Sequence, residues 1–526
     1  MRRSFTALCA LGLGLFASAA PAFGAAKNVE HLDQLPEAKY ATAINFMQYT
    51  NAGRGNGKAK GREALDVMLV TGRFGLKTYS LADPAHPELL DEITAEELRL
   101  PGDPPVSFDS PQSTFWQNED MDVDPKRKLA FLSRDPRAYR GSTTREPGEP
   151  DPNGATNIAG FYVVDAKDPH DLKLVTFQQL PTGHTTTCIN DCKWLWSGGP
   201  ASTDRQKAEL GWTFGRPIIV TDVRNYRKPR AYPMQPVDLF RRDGFTAYAH
   251  DVQVDDAGVA WVSGDGGTRG YWTSGKRWDP VQRVRRKATP LDPVPYAGGG
   301  LPAEVTADNT GGFEHNAERP IGASAPAGDP RYRQGRLLLM TEEDFGPPEK
   351  ACSEQGMFSI ASLDGSFDGE AWRSTPENPF RLEVVGTWNP YQKEGSRPPE
   401  LYAASPWCSA HYFDVDGSLV TYAWYGEGTR FLDISDPANP TQVAYWRPDD
   451  GVVWASYNHK GYIYTADGNR GVDVLRLTSG ARRAARQGRE VSAPPMSKRQ
   501  QAFLQRQAKR YKADPATAGL CFLQIQ

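Results

Sequence analysis

Gly428-Thr-Arg-Phe-Leu-Asp-Ile-Ser-Asp-Pro-Ala-Asn-Pro440 is one clean unit of a repeat: an apolar strand, a turn built on Asp-Pro, and the approach to another strand. Proline fixes φ and aspartate hydrogen-bonds back onto its own turn, so Asp-Pro-x-x-Pro makes a rigid link between two strands. The arrangement also occurs at Gly75-Leu-Lys-Thr-Tyr-Ser-Leu-Ala-Asp-Pro-Ala-His-Pro87 and at Gly160-Phe-Tyr-Val-Val-Asp-Ala-Lys-Asp-Pro169. It is degenerate at Pro217-Ile-Ile-Val-Thr-Asp-Val-Arg224 and truncated at Gly471-Val-Asp-Val-Leu475.

A second frame runs in step with the first. Glu119-Asp-Met-Asp-Val-Asp124, His250-Asp-Val-Gln-Val-Asp255 and His411-Tyr-Phe-Asp-Val-Asp416 each place a polar residue ahead of Val-Asp. Each is followed by an apolar strand: Leu129 to Leu132, Val259 to Val262, and Leu419 to Ala423. One unit therefore reads as an inner strand, a second strand, a third strand, the Asp-Pro turn and a fourth strand. Four-stranded units repeating every roughly 40 to 70 residues predict an all-β fold, a β-propeller. Seven blades are expected, beginning near Ala43, Asn118, His184, His250, His315, His411 and Val453, the last completed by an N-terminal strand. The propeller is assigned to residues 40–478, with an insertion from Pro320 to Arg333 and swollen loops near Arg145 and Arg285.

On Phe431-Leu-Asp-Ile-Ser-Asp-Pro-Ala-Asn-Pro440, and its weaker echoes at Tyr79 to Pro87 and Val163 to Pro169, the chain resembles the LVIVD-repeat propellers of exported bacterial proteins. The resemblance implies architecture; it names no chemistry.

The composition agrees. The 526 residues include 50 Gly and 42 Pro, a combined share above the usual roughly 12 %, which suits many short strands and turns and not a helical bundle. The net charge of −3 supplies no global field for nucleic acid. Residues 1–25 read as a signal peptide: Arg2-Arg3, an apolar run from Ala7 to Ala20, and Ala22-Phe23-Gly24 as a small-x-small cleavage site. Arg2-Arg3-Ser4-Phe5 also fits a twin-arginine signal, which exports folded protein. The apolar run is too short to span a bilayer, so no membrane span is expected and the location is periplasmic or secreted. Export permits disulfides, and Cys188–Cys192 and Cys352–Cys408 are the natural pairs, leaving Cys521. Residues 479–526 form a basic linker and a short helical tail, with a helix from Ser497 to Lys512 capped by Ser497, read as solvated; docking of Leu520 to Ile525 is the alternative.

Four histidines occupy one register of the repeat. His184, His250 and His315 are 66 and 65 residues apart, Glu119 lies 65 before His184, and His411 follows His315 by 96. Equivalent positions on successive blades face one another around the axis, so these five residues are expected to form an arc. His184, His250, His315 and His411 are the candidate metal ligands, for Fe, Cu, Zn or Mn. Glu119 and Glu314 are the candidate catalytic bases. Asp120, Asp251 and Glu314 are candidates for holding the second ring nitrogen of a ligand. The competing reading keeps the histidines as structural or anion-binding residues inherited by duplication. Cys188 shares a strand face with His184 and offers a thiolate, although a disulfide to Cys192 competes. Glu342, Glu343 and Asp344 form a candidate Ca²⁺ loop, with Asp265-Gly-Gly267 and Tyr425-Gly-Glu-Gly428 on the same rim. Trp194, Trp196, Trp261, Tyr271, Trp272, Trp424 and Tyr425 are candidates for an apolar substrate wall.

No Gly-x-Ser-x-Gly elbow, phosphate-binding glycine loop or dinucleotide fingerprint is present, which disfavours serine-hydrolase and nucleotide chemistry. The expected function is a metal-dependent oxidoreductase or hydrolase acting on a small molecule. The alternative is a non-catalytic extracytoplasmic propeller that binds a protein or glycan through its rim loops.

Overall fold

The computed structural model describes residues 24–50, 64–109, 113–116, 118–141, 156–199, 218–232, 249–264, 267–298, 312–344, 356–367, 382–391 and 409–513. Seven antiparallel sheets form the blades of a ring. Their inner strands are Ala41–Tyr49, Met121–Asp124, Thr185–Ile189, Ala249–Val254, Gly312–Glu318, Phe413–Asp416 and Val453–His459. These agree with the seven starts expected from the repeat.

The second strand of each blade has no polar face because neighbouring blades cover both sides. Side chains alternate along a strand. Leu129 and Phe131 therefore pack towards blade three, with Leu195 and Ile219. Ala130 and Leu132 pack towards blade one, with Val67 and Leu69. A one-sided sheet would alternate polar and apolar residues; a blade wedged in a ring reads as a continuous apolar run.

The repeat motif is a pair of aspartate turns. Asp433 accepts the amide of Ser435 at 2.9 Å and Asp436 accepts that of Ala438 at 3.0 Å. The same hydrogen bonds recur at Asp165 and Asp168 of blade two. The inner-strand Val-Asp frames end likewise: Asp124 accepts the amides of Lys126 and Arg127, and Asp255 those of Ala257 and Val259. The glycine that opens the motif also has a cause. Gly428 adopts φ +76°, and a Cβ there would lie 2.2 Å from the carbonyl oxygen of Trp446 on the fourth strand. Gly471 repeats this against Leu35, with φ +94° and a separation of 2.1 Å. Gly428→Ala is expected to cost at least ~2 kcal/mol through left-handed strain and this clash. A thermal melt unchanged by the substitution would contradict that account.

The ring closes through the N-terminus, as the repeat predicts. Val29–Leu35 pairs with Gly471–Leu477 as the outermost strand of blade seven, so the ring includes residues before 40. Closure extends further than expected, because Gly24–Lys27 adds a fifth strand to blade six against Thr441–Pro448. Asn28 is the elbow between them. It sits at φ 59°, a region asparagine tolerates, and its side-chain amide donates to the Val443 carbonyl at 2.8 Å.

The insertion from Pro320 to Arg333 is anchored. Its helical turn Pro330–Arg333 buries Tyr332, whose hydroxyl donates to the Ile434 carbonyl at 2.9 Å.

The tail corrects one expectation. A helix at Ser479–Arg486 was not anticipated; it buries Ala481 and Ala484 against blades six and seven. The anticipated helix spans Lys498–Ala513, and the Ser497 hydroxyl does accept the Gln500 amide at 3.0 Å. It is docked and not solvated: Phe503 and Leu504 are buried, and the Gln500 side chain donates to the Gly426 carbonyl at 2.8 Å. Residues 520–525, proposed to dock, lie outside the described residues. Cys188 and Cys192 form a disulfide with Cα atoms 4.4 Å apart, which removes Cys188 as a thiolate ligand. Cys352, Cys408 and Cys521 lie outside the described residues. Among the described residues no helix is long and apolar enough to cross a membrane.

Candidate metal centre

A β-bulge aims the axial residue in four of the seven blades. The inner-strand register slips around His250, His315, Trp454 and Thr42, leaving each as an extra residue without a ladder partner. Bulges of this kind re-aim a side chain, here into the channel. In the other three blades the axial residue lies just ahead of the inner strand, His184 by one residue and Glu119 and His411 by two. The aligned position at the start of each inner strand is thus held by Thr42, Glu119, His184, His250, His315, His411 and Trp454. Five adjacent blades supply groups that can hold a metal; blades one and seven do not.

The five residues are fully buried and converge. Glu119 is at the centre. Its Oε1 lies 2.8 Å from His315 Nε2 and 3.1 Å from His411 Nε2. Its Oε2 contacts His184 Nε2 and lies 3.4 Å from His250 Nε2. The Nε2 atoms of His184 and His250 are themselves 3.3 Å apart. Glu119-His184-His250, Glu119-His315-His411 and His250-His315-Glu343 each bring three ligand atoms within 4.8 Å of one another.

The opposite ring nitrogens set the tautomers. His250 Nδ1 faces the His315 carbonyl at 3.0 Å, and His411 Nδ1 faces the Trp454 carbonyl at 2.6 Å. A carbonyl only accepts, so Nδ1 carries the proton and the neutral ring presents an Nε2 lone pair to the axis. His184 Nδ1 is held at 3.0 Å by Asp135, which Arg137 grips through two hydrogen bonds of 2.8 and 2.7 Å. Lone pairs on several imidazoles directed at a carboxylate repel one another unless a cation or extra protons lie between them. This donor set fits a transition metal.

As protein groups alone, these residues compensate by titration. Burial lowers the His184 pKa, but the Glu119 and Asp135 carboxylates outweigh it and raise it to about 9. Burial, reinforced by His411 and His250, drives His315 well below its ordinary value. Burial likewise lowers His411. Burial opposes ionisation of Glu119, yet His184, His250 and His315 hold its carboxyl well below the usual range.

The other expected site residues divide. Asp120 and Asp251 do not hold the ligand rings. Asp120 instead accepts the Thr186 amide at 3.3 Å, and Asp251 accepts the Gln253 side chain at 2.9 Å. Glu314 lies across the strand pair from Glu342, and burial with that neighbouring carboxylate raises its pKa well above normal. It does not join the axial group. Asp135, which the sequence reading missed, takes the positioning role: it lies just beyond the second strand of blade two and reaches the histidine of blade three. The Ca²⁺ loop is also reassigned. Glu343 turns to the axis, 3.8 Å from His315 Nε2 and 3.9 Å from His411 Nε2, and accepts the Tyr425 hydroxyl at 2.5 Å. Glu342 lies towards the Met357 amide, while the Asp344 side chain and residues 265–266 fall outside the described residues. Of the aromatic wall, Trp196, Trp261 and Trp424 are packed between blades. Tyr425 does border the site, and Tyr412 and Trp454 join it, their rings 4.9 and 4.8 Å from that of His411.

Asp135→Asn keeps the shape but weakens the hold on the His184 tautomer. It is expected to reduce metal affinity about 10–100-fold, and the metal-free protein should also melt lower, because Arg137 and His184 lose a buried carboxylate. Competition with a chelator measures this; an unchanged affinity would remove Asp135 from the site.

No family model matches the chain, nor does the sequence of any curated protein. Among solved structures the chain is similar to a protein from Lactobacillus plantarum, at 8 % identity and a TM-score of 0.42, over 84 % of this chain and 94 % of that one. It is also similar to U3-55K, at 7 % identity and a TM-score of 0.41, over 85 % and 98 %. A glucose dehydrogenase matches at 12 % identity and a TM-score of 0.34, over 85 % and 99 %. Likenesses this distant carry no argument about chemistry.

Proposed function

We propose that this chain is an exported propeller metalloprotein, a metal-dependent oxidoreductase or hydrolase that acts on a small molecule. The observation that carries the reading is the convergence of four imidazoles on Glu119, with Nδ1 of His184, His250 and His411 each tied to an acceptor. Four nitrogens and one carboxylate suit Fe, Cu, Zn or Mn. When bound, such an ion supplies Lewis acidity and, for the redox-active metals, electron transfer.

The chain's own groups would do the rest. His184, His250, His315, His411 and Glu119 would hold the ion, with Glu119 as a fifth ligand in place of the free base first expected. Glu343, fixed by Tyr425, is the carboxylate best placed to hold or pass a proton beside the site. Thr42 and Trp454 mark the two ring positions without a ligand, and a substrate would approach on the Thr42 side. Tyr412, Trp454 and the ring of Tyr425 would exclude water on the His411 side. The motif at Phe431–Pro440 supports placing the chain beside the LVIVD-repeat propellers. The signal-like run from Arg2 to Ala20, ahead of the strand that begins at Gly24, and the Cys188–Cys192 disulfide support export.

Elemental analysis of protein purified from its native compartment tests the reading. Near-stoichiometric Fe, Cu, Zn or Mn is the expected result. Protein that arrives without metal and cannot be loaded with any of the four would end it.

A further inference from the structure

Blade four carries an element that the axial chemistry does not use. Between its third and fourth strands, Lys276–Asp279 and Val284–Lys287 form a separate two-stranded hairpin. Third strands run away from the rim at which the axial residues sit, so the hairpin projects from the opposite rim.

Its exposed surface combines two features that globular proteins usually keep apart. Trp278 is 53 % exposed, Val281 38 % and Val284 44 %; Val254, at the end of the same blade's inner strand, is 41 % exposed. Around them stand Lys276, Arg277, Arg283, Arg285 and Lys287, none of which has a carboxylate partner among the described residues. Only Arg286 is paired, with Asp279 and Asp292. The register places Lys276 directly opposite Lys287 and Trp278 opposite Arg285. Like charges facing each other across two strands oppose pairing, and an anionic surface would relieve that repulsion. In a chain whose net charge is −3, this cationic patch is local.

The hairpin is held firmly enough to present the patch. Thr273 and Asn190 exchange two hydrogen bonds of 2.9 Å, tying its base to blade three. Arg286 donates to the Pro293 carbonyl at 2.7 Å, and the Asp279 carboxylate caps the turn through the amides of Val281 and Gln282. Arg277 stacks 3.7 Å from the Trp272 ring centre. Docking would therefore order little that is not already ordered.

We propose that this hairpin docks the propeller on an anionic phospholipid surface. Tryptophan seats at the boundary between headgroups and acyl chains, the valines enter just below it, and the lysines and arginines meet the phosphates. A soluble polyanion would use the cations but would leave Trp278, Val281 and Val284 without a role. Docked in this way, the protein turns its axial rim away from the bilayer.

Co-sedimentation of the full chain with phosphatidylcholine vesicles, with and without phosphatidylglycerol, tests the proposal, with heparin as a soluble competitor. Binding is expected only to the anionic vesicles and should weaken with salt. R283E/R285E should lower the apparent affinity by about tenfold or more. W278A/V284A should lower it severalfold while keeping the salt dependence. Far-UV circular dichroism and metal content should be unchanged in both variants, since these side chains are solvent-exposed. Equal sedimentation with both vesicle types, or variants that bind like wild type, would overturn the proposal. So would heparin binding that R283E/R285E abolishes and W278A/V284A leaves intact, because that pattern belongs to a polyanion site.

Discussion

The His250→Ala/His411→Ala variant is expected to keep its propeller and lose its metal. Each substitution removes one Nε2 from the axial group, and the two come from opposite sides of His315, so the remaining ligands no longer enclose the centre. Glu119 keeps His184 and His315 as partners, so its buried charge remains compensated in the variant. ICP-MS of wild type and variant prepared side by side reads the loss. Thermal melts give a second reading, because a ligand that binds only the native state stabilises it. At a thousandfold excess over Kd that stabilisation is about 4 kcal/mol. The wild type should melt higher with metal than after chelation, and the variant should melt at one temperature in both conditions. A variant that retained full metal would move the site elsewhere. A variant that failed to melt cooperatively would show that the histidines are structural.

Deleting residues 24–35 is expected to abolish the monomeric fold. Those residues supply the outer strand of blade seven and the fifth strand of blade six, so their loss exposes the edges of Gly471–Leu477 and Thr441–Pro448. Unpaired edges recruit other chains. Buried charge would be left behind as well. Asp473 is fully buried; it accepts from His31 at 2.7 Å and from Arg470 at 2.8 Å, and the His31 ring stacks on Trp446 at 4.7 Å. Size exclusion and a circular-dichroism melt test this. Aggregation or a broad transition is the expected outcome, and a monomer melting within a few degrees of the intact chain would show that the ring holds without its closing strand.

Much of this was legible in residue order because its causes are local. The Asp-Pro turns, the capped helix beginning after Ser497 and the apolar second strands follow from interactions within a few residues, and the repeat multiplies each signal. The common register of Glu119, His184, His250, His315 and His411 was readable for the same reason, since a ring turns equal register into proximity. Asp120, Asp251 and Glu314 show where that reasoning stops. Adjacency to a ligand suggested that they would hold its ring, yet neighbours along a strand point apart, and the bulges at His250 and His315 shift the local pattern further.

By itself the sequence determined the class of fold, the number of blades and the common register of Glu119, His184, His250, His315 and His411. Only the tertiary structure decided which groups orient those residues. Asp135 of blade two reaches His184 of blade three, the Trp454 carbonyl of blade seven reaches His411, and Glu343 faces the centre in place of the expected Ca²⁺ loop. It also decided that the second tail helix docks and that Asn28 turns the chain from one blade to the next. Each of these depends on contacts between separate blades, or between distant parts of the chain. Hydrophobic periodicity says which face of a strand is buried; it does not say which atom of another blade will meet it there.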